Sequence, residues 1–321
     1  MTSATTGEHT PSSRARARAK RFAAAARSLS APDLVDRLTG IHAMAELADD
    51  RADGRLACVD ALCALIRTDT GPARDTAIGV IADRLRADPD DGRGWHGHHF
   101  DLHGSTFDTV DLSGARLTGT TMDFGGAVFG SHVFLNRATI DGGHVDFDGA
   151  VFSGGDLDAG HLSIERGHLG FRNALFAGGD VDFMTARIAG GAVLFEGARF
   201  AGGTVRFAGT LLRRGTIDFT GAAFPGGDVD FSGARLRGGA LVLDSIRLSG
   251  GDLGFVGCRF DGTIVDLSGA SIMGDVDAMN ARFDRTVDFP GTALGGILDI
   301  RGARHHAVSA RPGRVTIGPF I

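Results

Sequence analysis

The feature that most constrains this chain is a twelve-residue repeat that runs without a slip from Val133 to Ile272. One apolar column contains Leu135, Phe147, Ala159, Phe171, Phe183, Phe195, Phe207, Phe219, Phe231, Leu243, Phe255 and Leu267. A second column lies five residues later, from Ile140 and Phe152 to Phe260 and Ile272, and a third lies two residues earlier, from Val133 and Val145 to Leu253 and Val265. Each unit therefore holds two short segments with apolar residues two apart, such as Val229-Asp230-Phe231 and Ala234-Arg235-Leu236. That spacing puts both apolar residues on one face of a strand. Glycines between the segments, as at Gly233 and Gly238-Gly239, mark sharp corners where a positive φ suits glycine best. Helical spacing fails, and glycine at every corner would break helices. The pattern predicts a mainly β chain: short strands stacked into a solenoid with an apolar interior.

Residue identity sets the size of one turn. The second column alternates as Ile140, Phe152, Ile164, Phe176, Ile188 and Phe200, so it repeats in kind every 24 residues rather than every twelve. Stacked positions then hold like residues, and a turn of about 24 residues has four sides. The step tightens to eleven after Ile272, through Ala278, Phe289 and Ile300. This places the β-solenoid at 104–300, an entry loop or cap at 90–103 and a C-terminal cap or tail at 301–321. Its core is predicted to contain Phe147, Phe171, Phe183, Phe195, Phe207, Phe219, Phe231 and Phe255. The chain has 22 Phe, one Trp and no Tyr, so nearly every ring is suited to dry burial.

Upstream, a small helical domain is expected over 30–89. Ser30 is placed to cap a helix carrying Leu34, Leu38, Ile41, Ala45 and Ala48, and two further amphipathic stretches carry Val59, Leu62 and Ile66, then Ile78, Ile81 and Leu85. Residues 1–29 form a basic leader, disordered over the first dozen residues and able to extend as a helix from Arg14 to Ser28. Six basic residues face one acidic residue in the first 30, whereas 100–321 carries 19 basic and 25 acidic residues. With those charges intermixed, the solenoid is expected to have only a weak net field. Cys58, Cys63 and Cys258 form neither an even set nor a CxxC pair and read as reduced thiols of a cytoplasmic protein. No run is long enough for a membrane span. The only lysine, Lys20, lies in the leader, which excludes a lysine-dependent phosphate loop or Schiff base elsewhere.

Val110-Asp111-Leu112-Ser113-Gly114, Val229-Asp230-Phe231-Ser232-Gly233 and Val265-Asp266-Leu267-Ser268-Gly269 resemble the A(D/N)LxG unit of pentapeptide-repeat proteins. The resemblance covers nearly two-thirds of the chain and implies a right-handed quadrilateral β-helix behind a small α-helical N-terminal unit. This sequence departs from that unit by alternating five- and seven-residue sides, with an extra Gly-Gly pair at every second corner.

Two groups of residues could carry chemistry. His132, His144, Asp156, His168 and Asp180 share one repeat column and form a candidate surface site, with His144 and His168 one turn apart. Imidazoles and carboxylates at that spacing can hold a divalent metal or move protons, although Thr204, Thr216, Asp228 and Asp252 continue the column as ordinary solvated positions would. His96, His98, His99 and His103 form a weaker candidate metal cluster in the entry loop.

A packed interior leaves no internal pocket, so the chain is expected to be a non-enzymatic interaction or scaffold protein that binds a protein partner through its faces or ends. No cofactor, membrane contact or direct nucleic-acid binding is expected, while a homodimer through a solenoid end is. The resemblance implies a second reading, a DNA-mimic modulator of DNA gyrase that protects against topoisomerase poisons. A third is an enzyme or small-molecule binder of a natural-product pathway that uses the His/Asp column.

Overall fold

The structure, a computed structural model, describes residues 13–284, 288–305 and 314–316. The expected disorder of the first dozen residues, His306 and most of the C-terminal cap lie outside the described residues. The chain divides into two compact units, 1–80 and 81–321.

The first unit contains helices α1 (Ser13–Leu29), α2 (Leu34–Asp50) and α3 (Arg55–Thr68), and most of α4 (Pro72–Arg86). The basic leader thus becomes α1, which packs on α2. A Cβ at Gly40 would stand 2.7 Å from the Leu29 nitrogen, so glycine is what lets the two helices approach there. Arg18 pairs with Asp53 at 3.1 Å and Arg21 with Asp50 at 2.9 Å, which ties two basic residues of the leader to the end of α2 and the turn beyond it. The cap of α2 is Asp33 rather than Ser30: the Asp33 carboxylate accepts from the Val35 and Asp36 amides, while the Ser30 hydroxyl donates back to Ala26 O. Pro32 disfavours helical geometry at Ala31, so the first free helical amides lie beyond Ser30's reach. Ile41, Met44, Val59, Leu62 and Ile66 fill the core of this unit.

The second unit is a parallel β-solenoid of about eight turns, with about 24 residues per turn. Each turn has four faces, here numbered by their first strands: face 1 from His99–Asp101, face 2 from Thr106–Phe107, face 3 from Val110–Asp111 and face 4 from Arg116–Thr118. Faces 2 and 3 are nine-stranded parallel sheets. Faces 1 and 4 merge into one sheet because Thr139–Asp146 and Ser163–Gly170 run through the corner between them as continuous strands. Register confirms the 24-residue turn: Leu157 pairs with Val181, Ile164 with Ile188 and Phe176 with Phe200. The offset is 22 at the N-terminal end, where Thr106 pairs with Val128, and again at the far end, where Val276 pairs with Leu298.

Each twelve-residue column therefore alternates between opposite sides of the solenoid. Phe183, Phe207, Phe231 and Phe255 stack below face 3 with ring centres 4.7, 5.1 and 5.5 Å apart. Phe147, Phe171, Phe195 and Phe219 stack below face 1 at 5.2, 4.9 and 4.8 Å. A third stack, Phe152, Phe176, Phe200 and Phe224, lies under face 2 at 4.5, 4.6 and 4.4 Å. The stacks meet edge to face, as where Phe195 touches Phe183 at 87°. Both arrangements are favourable for aromatic quadrupoles, and together they fill the interior.

At the N-terminal end of this unit, Trp95 is fully buried with the Arg84 guanidinium 5.6 Å from its ring centre. Arg86 donates to Ser113 O at 2.8 Å and to Asp111 O at 2.9 Å, so backbone acceptors near the first turn are satisfied.

Two kinds of glycine serve the corners. Gly221 takes φ +67° in a turn closed by the Ala222 amide on Phe219 O, and its Cβ position is open space. Gly203 takes φ +75°, and a Cβ there would lie 1.9 Å from Gly179 O in the turn below. Gly221→Ala is therefore expected to cost about 1 kcal/mol, the price of a left-handed backbone alone. Gly203→Ala should cost several times more, because the backbone of the neighbouring turn must move. Urea midpoints of the two variants check this, and equal losses would show that the close carbonyl does not constrain the corner.

Candidate functional site

Four-sided closure divides the His/Asp column. His132, Asp156 and Asp180 lie where the chain enters face 3, whereas His144 and His168 lie on opposite face 1. The five residues do not form one patch.

On face 1, His168 pairs in register with His144, and their ring centres are 4.3 Å apart at a 32° tilt. His168 Nε2 is 2.7 Å from Asp146 Oδ1, while His144 Nδ1 is buried without a partner. In the next outward row Arg172 joins Asp148, at 3.3 Å, to Glu196. Gly170 leaves room for this arrangement, since a Cβ there would lie 2.8 Å from Asp146 Oδ1 and 2.9 Å from Asp148 Oδ1. Asp146 and Asp148 escape a twelve-residue reading and are found by adding 2 and 4 to His144. The His168–Asp146 pair can orient an imidazole and exchange a proton with it.

On face 3 the column is a hydrogen-bonded ladder. The Asp156 amide donates to His132 Nδ1 at 3.0 Å, the Asp180 amide to Asp156 Oδ1 at 2.8 Å, and the Thr204 amide to Asp180 Oδ1 at 2.8 Å. The ladder resumes where Asp252 and Asp275 donate from their amides to Asp228 and Asp252. Other aspartates have another backbone role: Asp182 and Asp230 on face 3, and Asp218 and Asp266 on face 1, each accept from the amide two residues on. These are Asx turns that start the next corner. Their carboxylates recur because the corners recur.

The entry histidines are spread over two environments. His96 is a strut, with Nδ1 2.7 Å from Arg116 O and Nε2 3.1 Å from Ala87 O, so both nitrogens are occupied. His99 and His103 flank Asp101 on the first strand of face 1, with His103 Nδ1 bonded to Asp101. His98 lies between the strut and that strand. Among the described residues, no three His, Cys, Asp or Glu side chains converge as a metal site.

The closure also sorts charges that look intermixed in the linear sequence. Face 3 carries outward aspartates in nearly every turn, including Asp156, Asp180, Asp228, Asp252 and Asp275. Face 4 carries Arg235, Arg259, Arg282 and Arg304 in one row. The intermixing is therefore uneven: the 24-residue turn gathers these rows onto separate faces, while Asp261 on face 4 still pairs with Arg237 and Arg206 on face 3 with Asp180. Face 2 is mixed outside: one row runs Val151, Leu175, Arg199, Ala223 and Arg247.

The three cysteines are free and buried. Burial pushes the Cys258 thiol up to about 12, and its Sγ donates to Phe231 O at 2.7 Å, so it is a small core group rather than a nucleophile. No helix among the described residues is long and apolar enough to cross a membrane. No family model, curated protein or solved structure matches the chain.

Burial raises the Asp180 carboxyl, but the Thr204 amide and the Arg206 guanidinium, 2.6 Å away, outweigh it and hold the group below its ordinary value. A carboxyl held down in the fold stabilises it above the unfolded value of 3.8, and that contribution drains away as pH falls through the lowered folded value. Asp180→Asn keeps the acceptor for Thr204 and removes the charge. It should lower the urea midpoint near pH ~7 and flatten the decline below about pH 4. Parallel wild-type and variant curves down to about pH 2 would remove Asp180 from the acid-sensitive set.

Proposed function

We propose that the chain is a non-enzymatic binding scaffold that uses the outer faces of its solenoid, and that it is a pentapeptide-repeat protein. The observation that carries the first part is the filled interior: inward positions hold stacked Phe, Leu, Ile and Val, so recognition groups project outward. Each face has its own chemistry: imidazoles and carboxylates on face 1, apolar residues interrupted by Arg199 and Arg247 on face 2, aspartates on face 3 and a row of arginines on face 4. A rigid prism with four distinct stripes suits recognition of extended partners. The family reading is supported by the Asp-Phe-Ser-Gly corner at Asp230 to Gly233, where the aspartate starts a turn closed by the Ala234 amide on Phe231 O.

The aspartate rows of face 3 favour one second reading, a DNA mimic acting on DNA gyrase. Carboxylates repeating at ~4.8 Å along a straight edge make a locally strong anionic field, which twelve-residue averaging conceals.

The test is affinity capture from source cells with the full-length chain and one variant per face: His144→Ala with His168→Ala, Leu175→Glu, Asp156→Asn with Asp180→Asn, and Arg187→Glu with Arg235→Glu. A stoichiometric protein partner lost from one variant and retained by the other three is the expected result. Recovery of gyrase, lost only from the face 3 variant and accompanied by inhibition of supercoiling, would select the second reading. Turnover of a co-purifying small molecule that depends on His168 would overturn the scaffold.

A further inference from the structure

The C-terminal half of the solenoid carries two rows of like charge that the local ion pairs do not absorb. Up to about Arg206 several pairs form internally: Arg166 with Asp141 at 2.7 Å, Arg172 with Asp148 and Glu196, Arg187 with Glu165 at 3.3 Å, and Arg206 with Asp180 at 2.6 Å. Beyond it Arg237 still pairs with Asp261 at 3.5 Å and Arg301 with Asp299, but two rows of like charge stand beside these pairs on adjacent faces. On face 4, Arg235 pairs in register with Arg259, Arg259 with Arg282 and Arg282 with Arg304, and all four side chains are exposed. Among the described residues none of these guanidinium groups makes an ion pair. On face 3, Asp228, Asp252 and Asp275 stand one turn apart and are exposed, each with Oδ1 bonded to the amide one turn on and Oδ2 free for another donor.

Like charges directly opposite on neighbouring strands are unfavourable, and here they recur over four strands on face 4. The two ladders cannot neutralise each other within one chain, because the corner at Ser232-Gly233 separates the faces they occupy. Three turns nevertheless supply one member of each ladder, seven residues apart: Asp228 and Arg235, Asp252 and Arg259, Asp275 and Arg282. Both ladders therefore have the same rise, ~4.8 Å, set by the same backbone hydrogen bonds.

We propose that the arginine ladder of face 4 docks on the aspartate ladder of face 3 in a second copy of this chain, side by side and in register. A second copy is the occupant the charges favour. It presents carboxylates at the spacing of the arginines, so three successive turns are matched at once without bending. A long polyanion such as duplex nucleic acid would instead lie against a chain of net charge −6 that carries an acidic face around the next corner. The contact is heterologous, joining different faces of two copies, so it either closes into a ring or continues as a lateral array. It goes beyond the scaffold reading, since it requires no other protein, and either can fail while the other stands.

Sedimentation velocity on the full-length protein tests it. The weight-average mass should rise with concentration at ~50 mM NaCl and return to the monomer at ~500 mM, where screening is short-ranged. Two charge variants are compared: Arg235→Glu/Arg259→Glu/Arg282→Glu, which keeps the acidic face, and Asp228→Asn/Asp252→Asn/Asp275→Asn, which keeps the basic face and the ladder acceptors. Each alone should associate at least about tenfold more weakly than wild type. An equimolar mixture should form a heterodimer and nothing larger, because it restores one contact only. Far-UV circular dichroism and urea midpoints report the fold, and the arginine variant alone suffices if the aspartate variant is unstable. A wild-type monomer at low salt, or association unchanged by the arginine variant, overturns the proposal. So does binding of a duplex oligonucleotide by a monomeric wild type that the arginine variant loses, which would assign the ladder to nucleic acid.

Discussion

The structure depends on the parallel register that sets each residue against the one 24 positions later. Hydrogen bonds such as Leu157 N–H to Asp180 O, 2.9 Å, hold successive turns at the spacing of parallel strands, and every side chain then meets its own counterpart above and below. Inside, that makes like-on-like stacking the natural filling: phenylalanine at ring spacings of 4.4 to 5.5 Å in three of the stacks. Outside, it turns every residue choice into a stripe. A row is acidic or basic where one position of the turn repeats its residue, and a single register governs core and surface together.

Much of this is legible in the sequence, for a physical reason. Apolar residues two apart define strand faces, glycine marks corners, and the alternation of Ile140, Phe152, Ile164 and Phe176 reveals a 24-residue turn, since unlike neighbours in sequence become like neighbours in space. The handling of polar positions is less legible. His132 and His144 share a column at twelve residues yet lie on opposite faces, because a shared repeat position implies proximity only after a complete turn. Asp230 alternates with arginines in the linear pattern and looks like half of a cross-strand pair, but its carboxylate is committed to the Ser232 amide. A local backbone bond two residues away outcompetes a flexible guanidinium on the neighbouring strand, since it orders fewer side-chain torsions.

The helices show a similar limit. The amphipathic stretches are plain from spacing, but the cap falls at Asp33 because Pro32 intervenes, and the partners of the basic leader, Asp50 and Asp53, are identifiable only once α1 folds back on α2. Charge composition says what a segment can attract. It does not say whether the attraction is already satisfied within the chain.

Interior positions of the solenoid are over-determined: Phe195 has ring contacts with Phe171 and Phe219 in its own stack and with Phe183, Phe200 and Phe207 across the core. Such positions answer to packing alone. Informative outer positions are those where the repeat is kept at a local energetic cost. The unpartnered Nδ1 of His144 is one, Thr185 with φ +56° at a corner where glycine is easier is another, and the arginine row of face 4 is a third. The first is isolated, and the second, shared with Arg137 and His161 at the same corner of the two preceding turns, is a local backbone cost that the rigid register around it carries. The third recurs turn after turn, so its cost accumulates along the solenoid, and the scaffold that permits this repetition also presents all the unpaired charges at one spacing on one plane.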